Sequence, residues 1–487
     1  MNQTIPHWLE KQFELNPNRP AIEFENGEVL TFSELRKESR QAAAGMKELG
    51  VKAGDHIALL VTNSRQAPIF IHAFSYIGAV GVMLNTRLTP TELAFQLEDA
   101  EVTSLFAEES LYQQGKEAIQ TTSLTQKDFH TLEDCPRLSE ESELKSTLHL
   151  EDPFTMMYTS GTTGQPKAVV HSYGNHWFSA ISSALNLGLS SHDKWLLCLP
   201  VFHVGGFSIL MKNVIYGMPI SLFASFDEDK VNQQILHNQV TIVSVVTVML
   251  QRLLDNLEER FYPSAFRCML LGGGPAPKPL LEEAHDKSIP VFQTYGMTET
   301  SSQISTLSPG DAFRKVGSSG KALHTADLIV EAEKPGEVGE ILVCGPMVSD
   351  GYYKHQERKS PWLRTGDLGY LDEEGFLYIV DRVKDVIISG GENVYPAEIE
   401  SVLTGIRGVK EAGVAGVQDN QWGEVPAAFL VMEPEAEADV KEMYEYCTLH
   451  LAKFKIPHSF HVVKELPRNA SNKILRRKLT DTLKDGE

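Results

Sequence analysis

Apolar positions along this chain alternate between two patterns. Short, nearly unbroken runs, such as 56–61 and 154–158, have the length and composition of buried strands. Longer stretches between them carry helix signals. Residues 21–24 and 29–30 flank Glu25-Asn26-Gly27-Glu28, where Asn-Gly predicts a hairpin. Thr31-Phe-Ser-Glu34 predicts a capping box and a helix ending near Gly50. Thr89-Pro-Thr-Glu92 predicts a second, with proline at the first helical position. Residues 108–150 are polar and acidic and read as a variable surface segment. From 154 to about 310 the alternation resumes: a strand, a loop ending at Lys167 that leads into helix 172–187, strand 194–199, helix 205–216 and further pairs. Such alternation predicts a mostly parallel, helix-covered sheet.

From about 315 the texture changes. Glycines 336, 339, 345, 351, 366, 369 and 375 punctuate short strands, which predicts a β-rich subdomain to 381. Beyond Asp381-Arg382 the pattern starts afresh. Helix 396–405, strands 411–417 and 427–432, helix 438–452 and strand 459–463 predict an α+β unit of about 100 residues. The expected fold class is α/β. A large N-terminal domain over 1–381 carries the parallel sheets and the β-rich subdomain, and a small α+β domain spans 382–487.

Composition narrows the function. A length of 487 residues is about three domains' worth. With 42% hydrophobic and 22% charged residues the chain is ordinary for a globular protein with more than one core. Its net charge of −21 argues against nucleic acid and anionic membranes, so an anionic ligand must be held by local groups. Five scattered cysteines without a C-x-x-C pair argue against a disulfide framework or a zinc site, and fit a reducing cytoplasm. The start, MNQTIPHWLEKQFEL, lacks the basic and apolar regions of a signal peptide. No run of 18 apolar residues predicts a membrane span.

The chain is organised around 155–167, Thr-Met-Met-Tyr-Thr-Ser-Gly-Thr-Thr-Gly-Gln-Pro-Lys. Thr159, Ser160, Thr162 and Thr163 offer hydroxyls. Gly161 and Gly164 let backbone N–H groups approach a ligand, and Lys167 supplies a cation. Together these suit a polyphosphate. The G-x-x-x-x-G-K-[ST] spacing of a Walker loop is absent. By composition alone, a Ser/Thr/Gly-rich hairpin remains an alternative.

Gly272, Gly273 and Gly274 follow an apolar strand and would let a flat ring lie on the backbone; a tight strand-to-helix turn explains them equally well. In Tyr295-Gly296-Met297-Thr298-Glu299, Tyr295 offers a stacking face, Thr298 a neutral donor, and Glu299 a hard oxygen ligand suited to Mg2+ beside phosphates. Asp367 could hold vicinal hydroxyls or simply shape a β-turn. Gly390 and Gly391 permit close approach to a thin chain or open a helix before Pro396. His203, which ends a strand, would taken singly be a packing residue and Lys473 a surface residue, while Arg476 and Arg477 read as surface residues or contacts to a ligand's phosphate.

Taken in order, these segments resemble the adenylate-forming enzymes (acyl-CoA synthetases, peptide-synthetase adenylation domains, luciferases) over essentially the whole chain. The resemblance implies that residues 159–164 and Lys167 grip the phosphates of ATP. It assigns the glycines 272–274 and residues 295–298 to the adenosine and a phosphate, Glu299 to Mg2+, Asp367 to the ribose and Arg382 to the nucleotide. It makes Lys384 the pivot of a mobile C-terminal domain, brings Gly390 and Gly391 to the pantetheine of coenzyme A, and sends Lys473 to bridge the carboxylate and the α-phosphate. His203 becomes an aromatic gate beside the acyl pocket. Lys473, His203, Lys167 and Thr298 then carry the catalytic roles. One departure is Ala168, where the family usually has glycine.

Stretches 173–188, 270–283 and 295–309 are similar to the branch that ligates 2-succinylbenzoate to coenzyme A in menaquinone biosynthesis. Ser302 and Gln303 are candidate donors for that acid's second carboxylate. The partners implied are small molecules: a carboxylic acid, ATP and coenzyme A. Self-association of the chain stays open at this stage. Another aryl- or acyl-CoA ligase, and a non-catalytic adenylate-binding protein, are the alternatives.

Overall fold

The expected punctuation forms. In the computed structural model, which describes residues 3–138, 143–159, 166–274, 276–312, 314–355, 358, 360–389, 392–419, 422–434, 436, 438–468 and 474–481, strands Pro20–Phe24 and Val29–Thr31 pair antiparallel around Asn26-Gly27. Thr31 caps helix Phe32–Glu48. Its Oγ1 accepts from the Glu34 N–H at 3.2 Å, and its own N–H donates to Glu34 at 2.8 Å. Thr89 caps helix Pro90–Asp99 in the same way. A third box, Ser172 with Asn175, opens helix Tyr173–Leu187.

Two sheets organise the N-terminal domain. Strands Val291–Met297, Cys268–Gly272, Ile242–Val246, Trp195–Leu197, Ile220–Leu222 and Pro20–Phe24 run parallel, in that order, in a nine-stranded sheet. Val80–Leu84, His56–Leu60, Ser104–Ala107 and Phe129–Thr131 belong to a six-stranded sheet. The largest apolar cluster lies between the sheets, filled by helices Gln66–Ile77 and Val204–Tyr216, which are buried along most of their length. Separate clusters cover each outer face. Two apolar faces per sheet account for the unbroken apolar runs.

The β-rich subdomain is an antiparallel sheet of Asp327–Glu331, Gly339–Cys344, Leu363–Leu371 and Leu377–Arg382. From Ile387 onward a five-stranded sheet with helices Pro396–Leu403 and Val440–His450 holds its own apolar clusters.

Three local expectations need correction. The residues after Lys167 do not pass straight into a helix: Lys167–Ser172 is a strand antiparallel to Pro153–Thr159, with Lys167 opposite Thr159. The β-branched pair Val169-Val170 suits a strand next to Met156 and Met157. His203 does not end a strand, because that strand stops at Leu197; it is the N-cap of helix Val204–Tyr216. Arg476 is not a surface residue. It is mostly buried, bonded to Glu400 at 2.8 Å and to Asp385 at 3.2 Å.

Candidate active site

One strand–turn–strand unit carries most of the expected site. Val291–Met297 leads through the short turn Thr298–Thr300 into Ser302–Thr306, antiparallel to it. Gly296 pairs with Gln303 where the register shifts, and Met297 pairs with Ser302. A Cβ at Gly296 would lie 1.8 Å from the Ser302 carbonyl oxygen, so only glycine fits. Beside this unit, strand Cys268–Gly272 ends in the glycine run. Gly273 has φ +87° and Val246 close behind it, whereas nothing lies within 4 Å of a Cβ built on Gly274. One side of the run is closed by packing and the other is open to a flat ligand.

Two groups of polar contacts flank the unit. In the first, the Tyr295 hydroxyl donates to Asp367 at 2.7 Å, and Arg382 approaches the other Asp367 oxygen at 3.2 Å. Asp367 and Arg382 face each other across strands Leu363–Leu371 and Leu377–Arg382. Burial, and then the Asp367 charge, push the Tyr295 hydroxyl well above its ordinary pKa, so it is a donor at neutral pH. In the second, Lys167 Nζ stands 5.4 Å from the Tyr352 ring, and the Tyr352 hydroxyl donates to Glu299 at 2.8 Å. Tyr352 bridges to Val169 as an isolated strand pair. The segment 349–353 thereby ties the 153–172 hairpin to the Thr298–Thr300 turn.

A buried histidine relay supports that turn. His171 Nε2 donates to the Thr298 carbonyl at 2.7 Å, which leaves His171 Nδ1 to accept from Thr155 Oγ1 at 3.3 Å. The Thr155 oxygen then accepts from His176 Nε2 at 3.0 Å. Burial lowers His171 to about 4, against a small upward pull from the Thr298 carbonyl, and holds His176 well below its usual range. Both rings are neutral at physiological pH, as the donor pattern requires.

A further group of contacts lies along helix Val204–Tyr216. His203 caps it, with its ring 4.7 Å from Phe202. Ser208 Oγ meets Ser302 Oγ at 3.4 Å. Ser302 sits at φ +120°, a strained conformation for a residue with a side chain. One helical turn further on, Lys212 is 1% exposed and approaches Gln303 Oε1 at 3.4 Å.

The structure therefore gathers Lys167, Tyr295–Glu299, Asp367, Arg382, Ser302 and Gln303. Ser160, Gly161, Thr162, Thr163, Gly164, Gly390, Gly391 and Lys473 lie outside the described residues. Lys384 is exposed on the short turn Val383–Asp385, between the subdomain sheet and the C-terminal sheet. Ala168 is not among the residues with positive φ, so its methyl is tolerated. Sequence reasoning missed Tyr352, His171 and Lys212. For Lys212 a signal existed: a lone cation within the apolar run 207–215. Among the described residues no group of three His, Cys, Asp or Glu side chains could hold a metal. A lone carboxylate such as Glu299 would suit a Mg2+ ion otherwise held by phosphates and water.

Comparison with known proteins decides the family. A model described as AMP-binding enzyme matches residues 9–353, and one described as AMP-binding enzyme C-terminal domain matches 398–473. The chain belongs to the AMP-binding enzyme family. Within this family, it is 52% identical over 487 residues to the 2-succinylbenzoate–CoA ligase of Oceanobacillus iheyensis, covering 98% of this chain and 100% of that protein. The o-succinylbenzoate–CoA synthetase of Bacillus subtilis, in complex with its acyl-adenylate intermediate, superposes with a TM-score of 0.93 at 44% identity, covering 98% of this chain and 99% of that one. A double mutant of that synthetase, bound with a product analogue, superposes at only 0.76 with the same identity and 98% of each chain covered. This chain thus superposes more closely on the adenylate complex than on the product-analogue complex. No helix among the described residues is long and apolar enough to cross a membrane.

Proposed function

We propose that this chain ligates 2-succinylbenzoate to coenzyme A in two half-reactions at the expense of ATP. First a substrate carboxylate oxygen attacks the α-phosphorus, and the bond to pyrophosphate breaks. Then the coenzyme A thiol attacks the acyl carbonyl, its proton passes to solvent, and AMP leaves. The observation that carries this reading is the pair of contact groups on either side of 295–299. Asp367 with Tyr295 and Arg382 suits the ribose and adenine, and Lys167 with Tyr352 and Glu299 suits the phosphates.

Oxygen attack on phosphorus needs alignment and charge neutralisation more than a base. Thr298, its carbonyl held by His171, presents a donor there. Bound Mg2+ beside Glu299 would supply further neutralisation. Lys473 has the role that the family resemblance gives it, at the carboxylate and α-phosphate. Tyr352, with its hydroxyl on Glu299, holds the metal ligand in one position. We place the domain division at 381/382 with Lys384 as the pivot, which is supported by the exposed turn Val383–Asp385 between two separate sheets. All five cysteines are free thiols, in keeping with a reducing cytoplasm.

Pyrophosphate release across a panel of carboxylic acids tests the reading. A clear preference for 2-succinylbenzoate is expected; equal or better turnover of unrelated acids would refute it.

A further inference from the structure

We propose that Lys212 is the cation that receives the carboxylate left over when 2-succinylbenzoate is adenylated. The inference rests on the ligase reading above and specifies its acid pocket. This acid carries one carboxylate on its ketone chain and one on its ring. Adenylation consumes one, and the other stays anionic. Placing an unpaired carboxylate inside a protein is prohibitive.

The neutral candidates are poorly placed to satisfy it. Gln303 directs Oε1 at Lys212 and donates from Nε2 to Thr306 at 3.0 Å. Ser302 already meets Ser208.

Lys212 has the opposite problem, a charge without a counter-ion. It is 1% exposed, and among the described residues no carboxylate lies within ion-pair distance of Nζ. Its company is the Gln303 amide oxygen at 3.4 Å, the Trp195 ring at 4.8 Å and the Cys268 thiol, which burial keeps protonated. Lysine is almost never fully buried unless paired. The missing partner is therefore expected to arrive with the substrate.

Position agrees with this role. Ser208 and Lys212 are four residues apart, on one face of the helix that His203 caps. That face meets Ser302 and Gln303, which pair across to Met297 and Gly296 on the strand bearing Tyr295. An acid lying from Thr298 along this face would bring its far end toward Lys212. Burial lowers this lysine to about 7, which eases its enclosure without an anion, and an incoming carboxylate would restore its charge. A monoacid leaves the cation unmatched, and a site built to bond a group rejects analogues lacking it.

The test uses K212M and K212Q in the full-length enzyme with three acids: 2-succinylbenzoate, 4-oxo-4-phenylbutanoate (no ring carboxylate) and 2-butanoylbenzoate (no chain carboxylate). KM is measured for acids that turn over and the competitive inhibition constant for those that do not. K212M should weaken the diacid at least about 30-fold, the loss expected when one partner of a buried charge pair is truncated, with kcat changed far less. The monoacid lacking the lysine-facing carboxylate should bind K212M and wild type alike. An unchanged diacid KM, or equal losses for all three acids, would overturn the proposal. The unfolding temperature of K212M should equal or exceed that of wild type, since an unpaired buried charge has been removed. Lower temperatures in both variants would show the charge balanced within the protein and would also overturn it. The wild-type acid panel judges the ligase reading separately: if another dicarboxylate is preferred, that reading fails while K212M still tests the pocket on the preferred acid; a preferred monoacid overturns both.

Discussion

His171 shows how single side chains support this site. Its Nε2–H holds the Thr298 carbonyl, and its Nδ1 can accept from Thr155 only while the ring is neutral; burial keeps it so, with a pKa of about 4. His72, fully buried beneath the N-terminal helices, also titrates near 4. In the unfolded chain an imidazole takes its proton near 6.5. Between 6.5 and 4 the unfolded state therefore binds more protons, and the stability present above 6.5 is lost as the pH falls toward 4. Each such histidine contributes about 1.4 kcal/mol per pH unit in that window. His171→Gln keeps a donor near Thr298 and removes the titration. We expect it to flatten the dependence of the urea-unfolding midpoint between pH 6 and 5, with adenylation retained. A dependence as steep as that of wild type would contradict the assignment. At this scale Tyr295, Glu299 and Asp367 could be singled out as candidates because the chemistry of each side chain is local. His171 and Tyr352 were not, because their roles exist only across segments far apart in sequence.

The strand–turn–strand unit 291–306 is the element on which both flanking contact groups depend. Its closure depends on Gly296, whose Cβ position is occupied by the Ser302 carbonyl. Gly296→Ala must force the two strands apart, displacing Tyr295 on one side and Ser302 and Gln303 on the other. Misplacement of about 1 Å at a reacting centre costs about 100-fold in rate. We expect a loss of that order in ATP–pyrophosphate exchange, with the far edge of the nine-stranded sheet intact by hydrogen exchange. Near wild-type exchange kinetics would mean that the register is not critical. The hairpin 153–172 teaches a related lesson. Its loop was recognisable from composition, but its second strand was read as an approach to a helix, because the pairing that makes it a strand lies across the loop.

For the molecule as a whole, the sequence pattern marked a boundary at 381/382 but not the contacts that hold the junction. Asp381, at the end of the subdomain sheet, accepts from the Ala397 N–H at 2.8 Å and so caps helix Pro396–Leu403 of the C-terminal domain. Arg476 bonds Glu400 and Asp385 nearby. Burial pushes Glu400 and Asp381 upward and works against the Arg476 charge, but the surrounding carboxylates outweigh it and the guanidinium is raised overall. Arg476→Met would leave carboxylates buried without their cation. Breaking such a pair costs about 3–5 kcal/mol. Amide exchange in helix Pro396–Leu403 should accelerate while the nine-stranded sheet is unaffected; unchanged exchange would show that the cluster does not hold the junction.

The sequence by itself determined the alternation of strands and helices, the caps, the phosphate-loop composition and the order of the motifs. Each of these depends on neighbours a few residues apart, so a linear reading reaches them. Tertiary structure alone decided that Lys212 is buried with no carboxylate beside it among the described residues, that Tyr352 reaches Glu299, and that Arg476 is enclosed by acids. Burial and electrostatic partnership depend on what the rest of the chain places around a side chain, and no local pattern records that.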